Sequence, residues 1–560
     1  MQHAWVRVAG VDSDFDGHDD RVHVQVVRVA DGQDRPVVVE ASPYWAGGNP
    51  VRNHDVDVPL YVPPHEPRTG AQVGSSRAGQ PDQPASRRIG PSAYEQLLRH
   101  RGYTWVYAES LGTGESTGCP TSGGRNETLG AAAVIDWLAG RASARDADGD
   151  PVRAWWSDGR VGMIGVSYNG TLPNAVASTG VRGLRTIVPV SAISSWYGYY
   201  RAGGSIVAPG GYQGEDTDVL ARYVLTRDDH EQCRGVTKRL ERRQDRVTGD
   251  YGPFWAGRNY RRDADQVRAS VLVQHGLKDW NVKTSQFSRW YAALRAADVP
   301  HKVWLHSQGH GDWPLSQQNR LWQRTLVRWF DRWLRGVKNG IMEEPRATVA
   351  HGQGAEAHYV RYDDWPHPRA QPVALTPTAG GLRLGGLGAS TDARGSSVTE
   401  TLVDDAQFSA QDLLDTDRSP HRLLYRSPIL TERVVLSGTP TAHLRLSFSE
   451  PAGNVSVGLA DMHGGMARLL TEGWTDPQNR RSVRETTPVH RGHPYRLDVT
   501  LQPIEHVLDA GHRLGLVVLS SDHDFTLRPP PGTRLTLHLD GSTVETPVVG
   551  GQQQWADAVE

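Results

Sequence analysis

The chain is short of cysteine, of a cationic surplus and of long apolar runs, and each shortage removes a class of function. Two cysteines in 560 residues, Cys119 and Cys233, cannot make a disulfide framework and lack the spacing of a zinc site; a single bridge is their limit. Lys and Arg number 61 against 63 Asp and Glu, a formal net charge of −2, whereas a nucleic-acid binder carries a basic surplus to offset phosphate. No apolar run reaches about 18 residues, so no transmembrane helix is expected. The opening MQHAWVRVAG lacks the apolar centre of a signal peptide, which read literally predicts a cytoplasmic protein. A secreted protein whose leader has been removed or missed is the alternative. What is present is glycine (60) and proline (35) in a chain 38% hydrophobic and 22% charged, the composition of a globular protein. The length allows about two to four domains.

Up to about residue 344 the pattern alternates. Short apolar runs at 37–41, 103–107, 161–165, 186–190, 271–274 and 302–305 read as buried parallel strands. Helices are expected at 127–140, 284–297 and 319–334; in the last, Leu321, Leu326, Trp329 and Trp333 share a face, with Val327 and Phe330 beside them. Such alternation predicts an α/β sheet covered on both faces. Residues 68–90, polar and rich in Gly, Ser and Pro, are expected to form a long loop. Residues 191–268 lack a good strand and fall between two sheet strands, the place of an inserted helical cap. Beyond residue 345 short alternating segments such as 434–437, 442–447, 495–499 and 514–519 predict a β-sandwich. The expected domains are therefore an α/β unit at 1–190 and 269–344, a cap at 191–268 and a sandwich at 345–560.

The strongest local signal is Gly165-Val166-Ser167-Tyr168-Asn169-Gly170, between an apolar strand and a helix expected at 171–178. A strand-to-helix elbow holds its serine in a strained conformation and projects the hydroxyl at a helix N-terminus, where backbone N–H groups can hold an oxyanion. The pattern departs from G-x-S-x-G by one position, Asn169 standing where the last glycine usually does. Gly114-Glu115-Ser116-Thr117-Gly118 matches to the letter, but Cys119-Pro120 follows and no helix is expected there, so Ser116 reads as a loop residue. A nucleophilic serine needs a base and an orienting carboxylate, which in α/β-hydrolases follow in the order Ser, Asp, His, each just after a strand. Asp279 in HGLKDWNV and His310 in HSQGHGD meet both conditions. His275 and His306 compete as bases, and His310 is preferred because Gly309 and Gly311 free its loop to turn back over the sheet.

GVSYNG, HGLKDWNV and QGHGD, with Ser42-Pro43-Tyr44 and GTGESTGCPTSGG from Gly112, resemble the X-prolyl dipeptidyl aminopeptidase family of serine hydrolases, whose relatives include cocaine esterase and α-amino acid ester hydrolases. The resemblance spans nearly the whole chain. It implies an α/β-hydrolase fold with an inserted helical cap and a C-terminal jelly-roll-like sandwich. It also implies Ser167 as nucleophile, Asp279 as orienter and His310 as base, with the oxyanion held by the Tyr168 N–H and the Tyr44 hydroxyl. By the same resemblance Trp196 and Tyr199 line a proline pocket, while Tyr212 and Glu215 meet the substrate's α-amine. The competing reading makes these aromatics cap core and puts Glu215 or Asp216 on the surface. Arg201 is followed by Ala202-Gly203-Gly204, where the resemblance leads one to expect an acid.

The function expected is a serine exopeptidase releasing N-terminal X-Pro dipeptides. The alternatives are an ester hydrolase or β-lactam side-chain acylase with the same triad, and a non-catalytic binding protein, against which the intact triad argues. The partners expected are a peptide with a penultimate proline and, for assembly, a homodimer, with neither nucleic acid nor membrane, and no cofactor. Asp12-Ser13-Asp14-Phe15-Asp16-Gly17 opens like a calcium loop but has His23 where the twelfth-position Glu belongs. Asp146-Ala147-Asp148-Gly149-Asp150 is shorter still. Both read as solvated turns, with no metal. Cys119 and Cys233 could pair if the protein is exported, and sequence does not show their proximity.

Overall fold

A computed structural model describes residues 2–28, 32–63, 91–352, 358–381, 384–389 and 398–559. The loop expected at 68–90 lies outside the described residues. The α/β part is one sheet. Its longer strands are β1 (Gln2–Arg7), β2 (Arg21–Val27), β3 (Arg35–Ser42), β4 (Thr104–Glu109), β5 (Ser157–Val166), β6 (Leu184–Val190), β7 (Ser270–Gly276), β8 (His301–His306), β9 (Ala347–His351) and β10 (His358–Tyr362), and the two-residue strands Ala144–Arg145 and Pro151–Val152 extend it beyond β1. They run in the order β10-β9-β8-β7-β6-β5-β3-β4-β2-β1, parallel from β9 to β4 and antiparallel at both ends. Because strand side chains alternate, the inner strands bury both faces. Val37, Val39, Met163, Ile187 and Val273 pack under helices Arg125–Leu138, Tyr168–Ala177 and Ser285–Ala296. Val38, Ile164, Val188, Leu272 and Trp304 pack under Ala93–Arg99 and Arg320–Arg335.

On that last helix the buried stripe is Trp322, Leu326, Val327, Trp329, Phe330 and Leu334. Leu321 and Trp333, expected on it, are only partly buried. The difference is a rotation of about one residue: Asn319 caps the helix by accepting from the Leu321 and Trp322 amides, and Trp322 Nε1 donates to the buried Asp312 carboxylate at 3.0 Å, which fixes Trp322 inward.

The segment between β6 and β7 carries helices and a hairpin of two-residue strands over the C-terminal ends of the central strands. From Ala370 the chain forms two mainly antiparallel layers around a separate apolar core, joined where Ala370–Thr378 pairs with both Arg534–Val549 and Gly385–Gly388. These layers meet the cap closely. Gly203 and Gly204 have positive φ (53° and 88°), and a Cβ on either would stand 2.5 Å from Thr475 Oγ1 or 2.0 Å from Asn479 Oδ1. That contact explains why no acid follows Arg201: the backbone there lies directly against Trp474-Thr475 and Asn479. Cys119 and Cys233 are joined in a disulfide that ties the segment after β4 to the cap.

Candidate active site

Tyr44, Ser167, Asp279 and His310 each follow a central strand, so the sheet brings them to one edge, while Trp196, Tyr199, Tyr212 and Glu215 lie in the cap. Ser167 leaves β5 at φ 62°, ψ −123°, a left-handed conformation unusual for a side-chain-bearing residue and the signature of an elbow, and caps helix Tyr168–Ala177. The one-position glycine shift has a steric cause. A Cβ on Gly170 would lie 2.6 Å from the Gly165 carbonyl and 2.8 Å from that of Val190, so glycine is required at 170, while Asn169 is accommodated because the residue it lies against, Gly165, has no side chain. Ser116 sits elsewhere, 1% exposed, donating to the Glu109 carbonyl at 3.0 Å and accepting from the His23 amide at 2.9 Å.

Asp279 follows β7 and is buried; its Oδ1 accepts from the Asn281 (3.1 Å) and Val282 (2.8 Å) amides. Its Oδ2 accepts from His310 Nδ1 at 2.8 Å, and the partly exposed imidazole sits on the loop after β8. That loop is pinned to the end of β6, two strands across the sheet, the Gly311 amide donating to Ser191 Oγ at 3.2 Å. The structure records this half of a triad and no hydrogen bond from Ser167 Oγ to His310. Such bonds often tighten only with substrate present. The competing histidines are spent on backbone. His275 Nε2 is 2.7 Å from the Val282 carbonyl, and burial holds the ring below its ordinary range. His306 Nε2 is 3.2 Å from the Gly311 carbonyl, its Nδ1 accepts from the Gln308 amide, and burial lowers it to about 4.

Tyr168 opens its helix, so its N–H has no intrahelical acceptor. Its phenol is drawn away, donating to Glu127 Oε2 at 2.5 Å and accepting from the Gly123 amide at 2.9 Å. Tyr44 follows β3, half-buried, its ring edge-on to Tyr168 at 6.0 Å. Burial and then the charge of Glu215 push the Tyr44 phenol well above 10, so it stays protonated and able to donate.

In the cap, Glu215 and Asp216 are both buried, contrary to the surface alternative, but differently partnered. Asp216 is neutralised by Arg201 (2.9 Å) and Arg246 (3.0 Å) and caps helix Thr217–Val224. Glu215 accepts from the Tyr200 hydroxyl at 2.9 Å and faces no cation among the described residues; burial raises it to about 7. After burial itself, its charge is the largest influence raising the phenols of Tyr44, Tyr199, Tyr200, Tyr212 and Tyr223. A buried carboxylate whose recorded partner is a tyrosine hydroxyl suits an ammonium ion. Trp196 is completely buried, its indole N–H donating to Tyr260 (3.0 Å) and its ring packed on Tyr168, Tyr199 and Tyr200. Tyr199 is also buried, its hydroxyl donating to Asn281 Oδ1 at 3.0 Å.

Two neighbours escaped the sequence reading. Tyr223 lies across Gly48, where a Cβ would meet its ring at 2.2 Å; only the packing of the loop after β3 on the cap reveals it. Lys283 is fully buried, donating to the Tyr199 (3.2 Å) and Ala208 (2.9 Å) carbonyls, and burial lowers it to about 7. It locks the cap to the loop carrying Asp279, and its i+4 spacing from Asp279 was the one available signal. A cavity of about 1280 Å³ lies behind that loop, between Lys278, Trp280 and Ser307 on one side and Asp461, Glu505 and His506 on the other, and neither Ser167 nor His310 lines it.

Residues 16–312 match the model of the X-Pro dipeptidyl-peptidase (S15 family), and residues 339–556 that of the X-Pro dipeptidyl-peptidase C-terminal non-catalytic domain. A Bacillus anthracis protein assigned by name as an Xaa-Pro dipeptidyl-peptidase is 43% identical over 545 residues, covering 96% of this chain and 86% of its own. The Xaa-Pro dipeptidyl-peptidase of Lacticaseibacillus rhamnosus is 32% identical, covering 97% and 76%. Among solved structures, an α-amino acid ester hydrolase (TM-score 0.67, 18% identity, 98% of this chain and 96% of that one) shares the fold. So does a CocE/NonD family hydrolase from Staphylococcus aureus (TM-score 0.69, 14% identity, 95% and 91%).

Proposed function

The chain belongs to the X-Pro dipeptidyl-peptidase (S15) family, and from that premise we propose that it is a serine exopeptidase releasing X-Pro dipeptides from peptide N-termini. Ser167 Oγ attacks the prolyl carbonyl carbon while His310 takes its proton, with Asp279 holding the imidazole in the needed tautomer. The oxyanion receives hydrogen bonds from the Tyr168 N–H and the Tyr44 hydroxyl. Collapse breaks the C–N bond, His310 returns the proton to the leaving amine, and water releases the dipeptide from the acyl-enzyme by the same steps. The observation that carries the exopeptidase reading is Glu215, a buried acid with no cationic partner on the cap above the elbow. An incoming α-ammonium supplies that partner and sets cleavage two residues in, the prolyl ring resting on Tyr199 with Trp196 behind it.

The test is hydrolysis of Gly-Pro-p-nitroanilide beside its N-acetylated form. Rapid turnover of the free-amine substrate and little of the blocked one is expected, whereas equal turnover of both, or of phenyl esters alone, overturns the reading. A fluorophosphonate probe should label the parent chain and leave Ser167→Ala unlabelled.

A further inference from the structure

The loop 12–20 between β1 and β2 takes no part in the site described above. It carries carboxylates at its first, third and fifth positions, a glycine at the sixth (Gly17, φ 86°) and a further carboxylate, Asp20, at the ninth. The twelfth position, His23, lies on β2 with Nδ1 2.9 Å from Glu109, so the loop closes at Asp20. The solvated-turn reading fails here, since Asp14 is 7% and Asp20 2% exposed. It stands for 146–150, an exposed hairpin turn in which Asp146 Oδ1 accepts from the Asp148 and Asp150 amides.

One carboxylate oxygen from each of Asp12, Asp14 and Asp20 lies within 4.8 Å of the others. Oxygens all about 2.4 Å from one ion are separated by no more than about that distance. The independent observation is at Asp14. Its Oδ2 accepts from Arg227 (2.5 Å) and the Gly118 amide (3.2 Å), but Oδ1 is buried with no hydrogen-bond partner. An orphaned carboxylate oxygen beside two further carboxylates is costly unless a cation meets it. Asp20 Oδ2 is committed to the Ser13 amide (3.1 Å) and hydroxyl (2.6 Å), while Asp12 accepts from the Asp16 and Gly17 amides. Arg227 alone does not balance three acids.

We propose that the loop 12–20 binds one divalent cation of the calcium class through Asp12, Asp14 and Asp20. All-oxygen donors favour calcium over transition metals, and its loose coordination tolerates backbone carbonyls and water in the remaining positions. The ion fastens the β1–β2 loop to the disulfide segment, where the Cys119 amide donates to Ser13 Oγ at 2.9 Å, and through Arg227 to the cap.

The full-length chain, stripped with EDTA, is titrated with calcium chloride by calorimetry and melted with and without the ion. One bound calcium per chain is expected, with Tm raised by about 4 °C at calcium a hundredfold above Kd. Asp12→Asn and Asp20→Asn should each abolish the heat and the shift, and each should still melt cooperatively in EDTA, so that loss of binding is separated from loss of folding. Absence of binding up to about 10 mM calcium, beyond the weakest loop affinities, or undiminished binding in both variants, overturns the proposal.

Discussion

In the proposed mechanism Tyr44 serves the oxyanion and Glu215 the substrate's amine, and different experiments isolate each. Tyr44→Phe keeps the ring that packs edge-on to Tyr168 and removes only the hydroxyl. Loss of one oxyanion donor typically costs about 10²–10³ in kcat. That fall in kcat, with KM and Tm little changed, is expected from steady-state kinetics and thermal melting. The role proposed for Glu215 is in binding. Burial raises it to about 7, so its ionised fraction grows as pH rises through neutrality, while a substrate α-amine loses its proton near about 8. The kcat/KM for Gly-Pro-p-nitroanilide should therefore describe a narrow bell between those values. A phenyl ester without an amine should lack the Glu215 limb, so any limb common to both substrates belongs to the triad. Glu215→Gln should lower kcat/KM for the free-amine substrate by about 10²-fold, chiefly through KM, and leave the ester rate nearly unchanged. A bell of the same shape in Glu215→Gln would assign the acidic limb to another group.

At the scale of elements, the elbow is held by close approach. Gly170→Ala would drive a Cβ into the backbone of both Gly165 and Val190, neither of which is a flexible side-chain end. Lower Tm and loss of fluorophosphonate labelling are expected, whereas Asn169→Gly, which restores the common spacing, should label like the parent. The same contrast explains what could be read in advance. Ser167, Asp279 and His310 were legible because each follows an apolar strand, and strand and turn leave local marks in sequence. The burial of Asp14 and of Lys283 was not, because the groups that meet them lie far off in sequence, Arg227 213 positions from Asp14 and the Tyr199 carbonyl 84 from Lys283. The stripe on Arg320–Arg335 slipped by a residue for a similar reason: Asp312, outside the helix, decides which tryptophan faces in. Trp196, assigned to the proline pocket by resemblance, is completely buried, a depth that a shared motif does not carry.

Over the whole molecule, the cap is held to the α/β part by clamps far apart in sequence. His54 meets Asp218 at 2.8 Å, Arg227 meets Asp14, Lys283 meets two cap carbonyls, and the sandwich presses on Gly203-Gly204. Across the same seam runs the bridge between Cys119 and Cys233, 114 residues apart, with both cysteines 0% exposed. Closing so long a loop restricts the unfolded chain by about 4–5 kcal/mol in the chain-entropy model. Spread over the unfolding entropy of a unit of about 300 residues, that corresponds to about 5–8 °C in Tm. A Cys119→Ser, Cys233→Ser double variant should melt lower by that interval. Because the sulfurs pack against Leu225 and Val236 and touch none of the proposed site residues, its kcat/KM for Gly-Pro-p-nitroanilide at 25 °C should stay within about twofold of the parent. A selective rise in KM for free-amine substrates would instead mean that the bridge holds Glu215 in register, since the cap segment it anchors runs directly into the helix Thr217–Val224 that follows Glu215. Melting curves and paired kinetics on amine and ester substrates separate a bridge that only resists unfolding from one that also positions the cap.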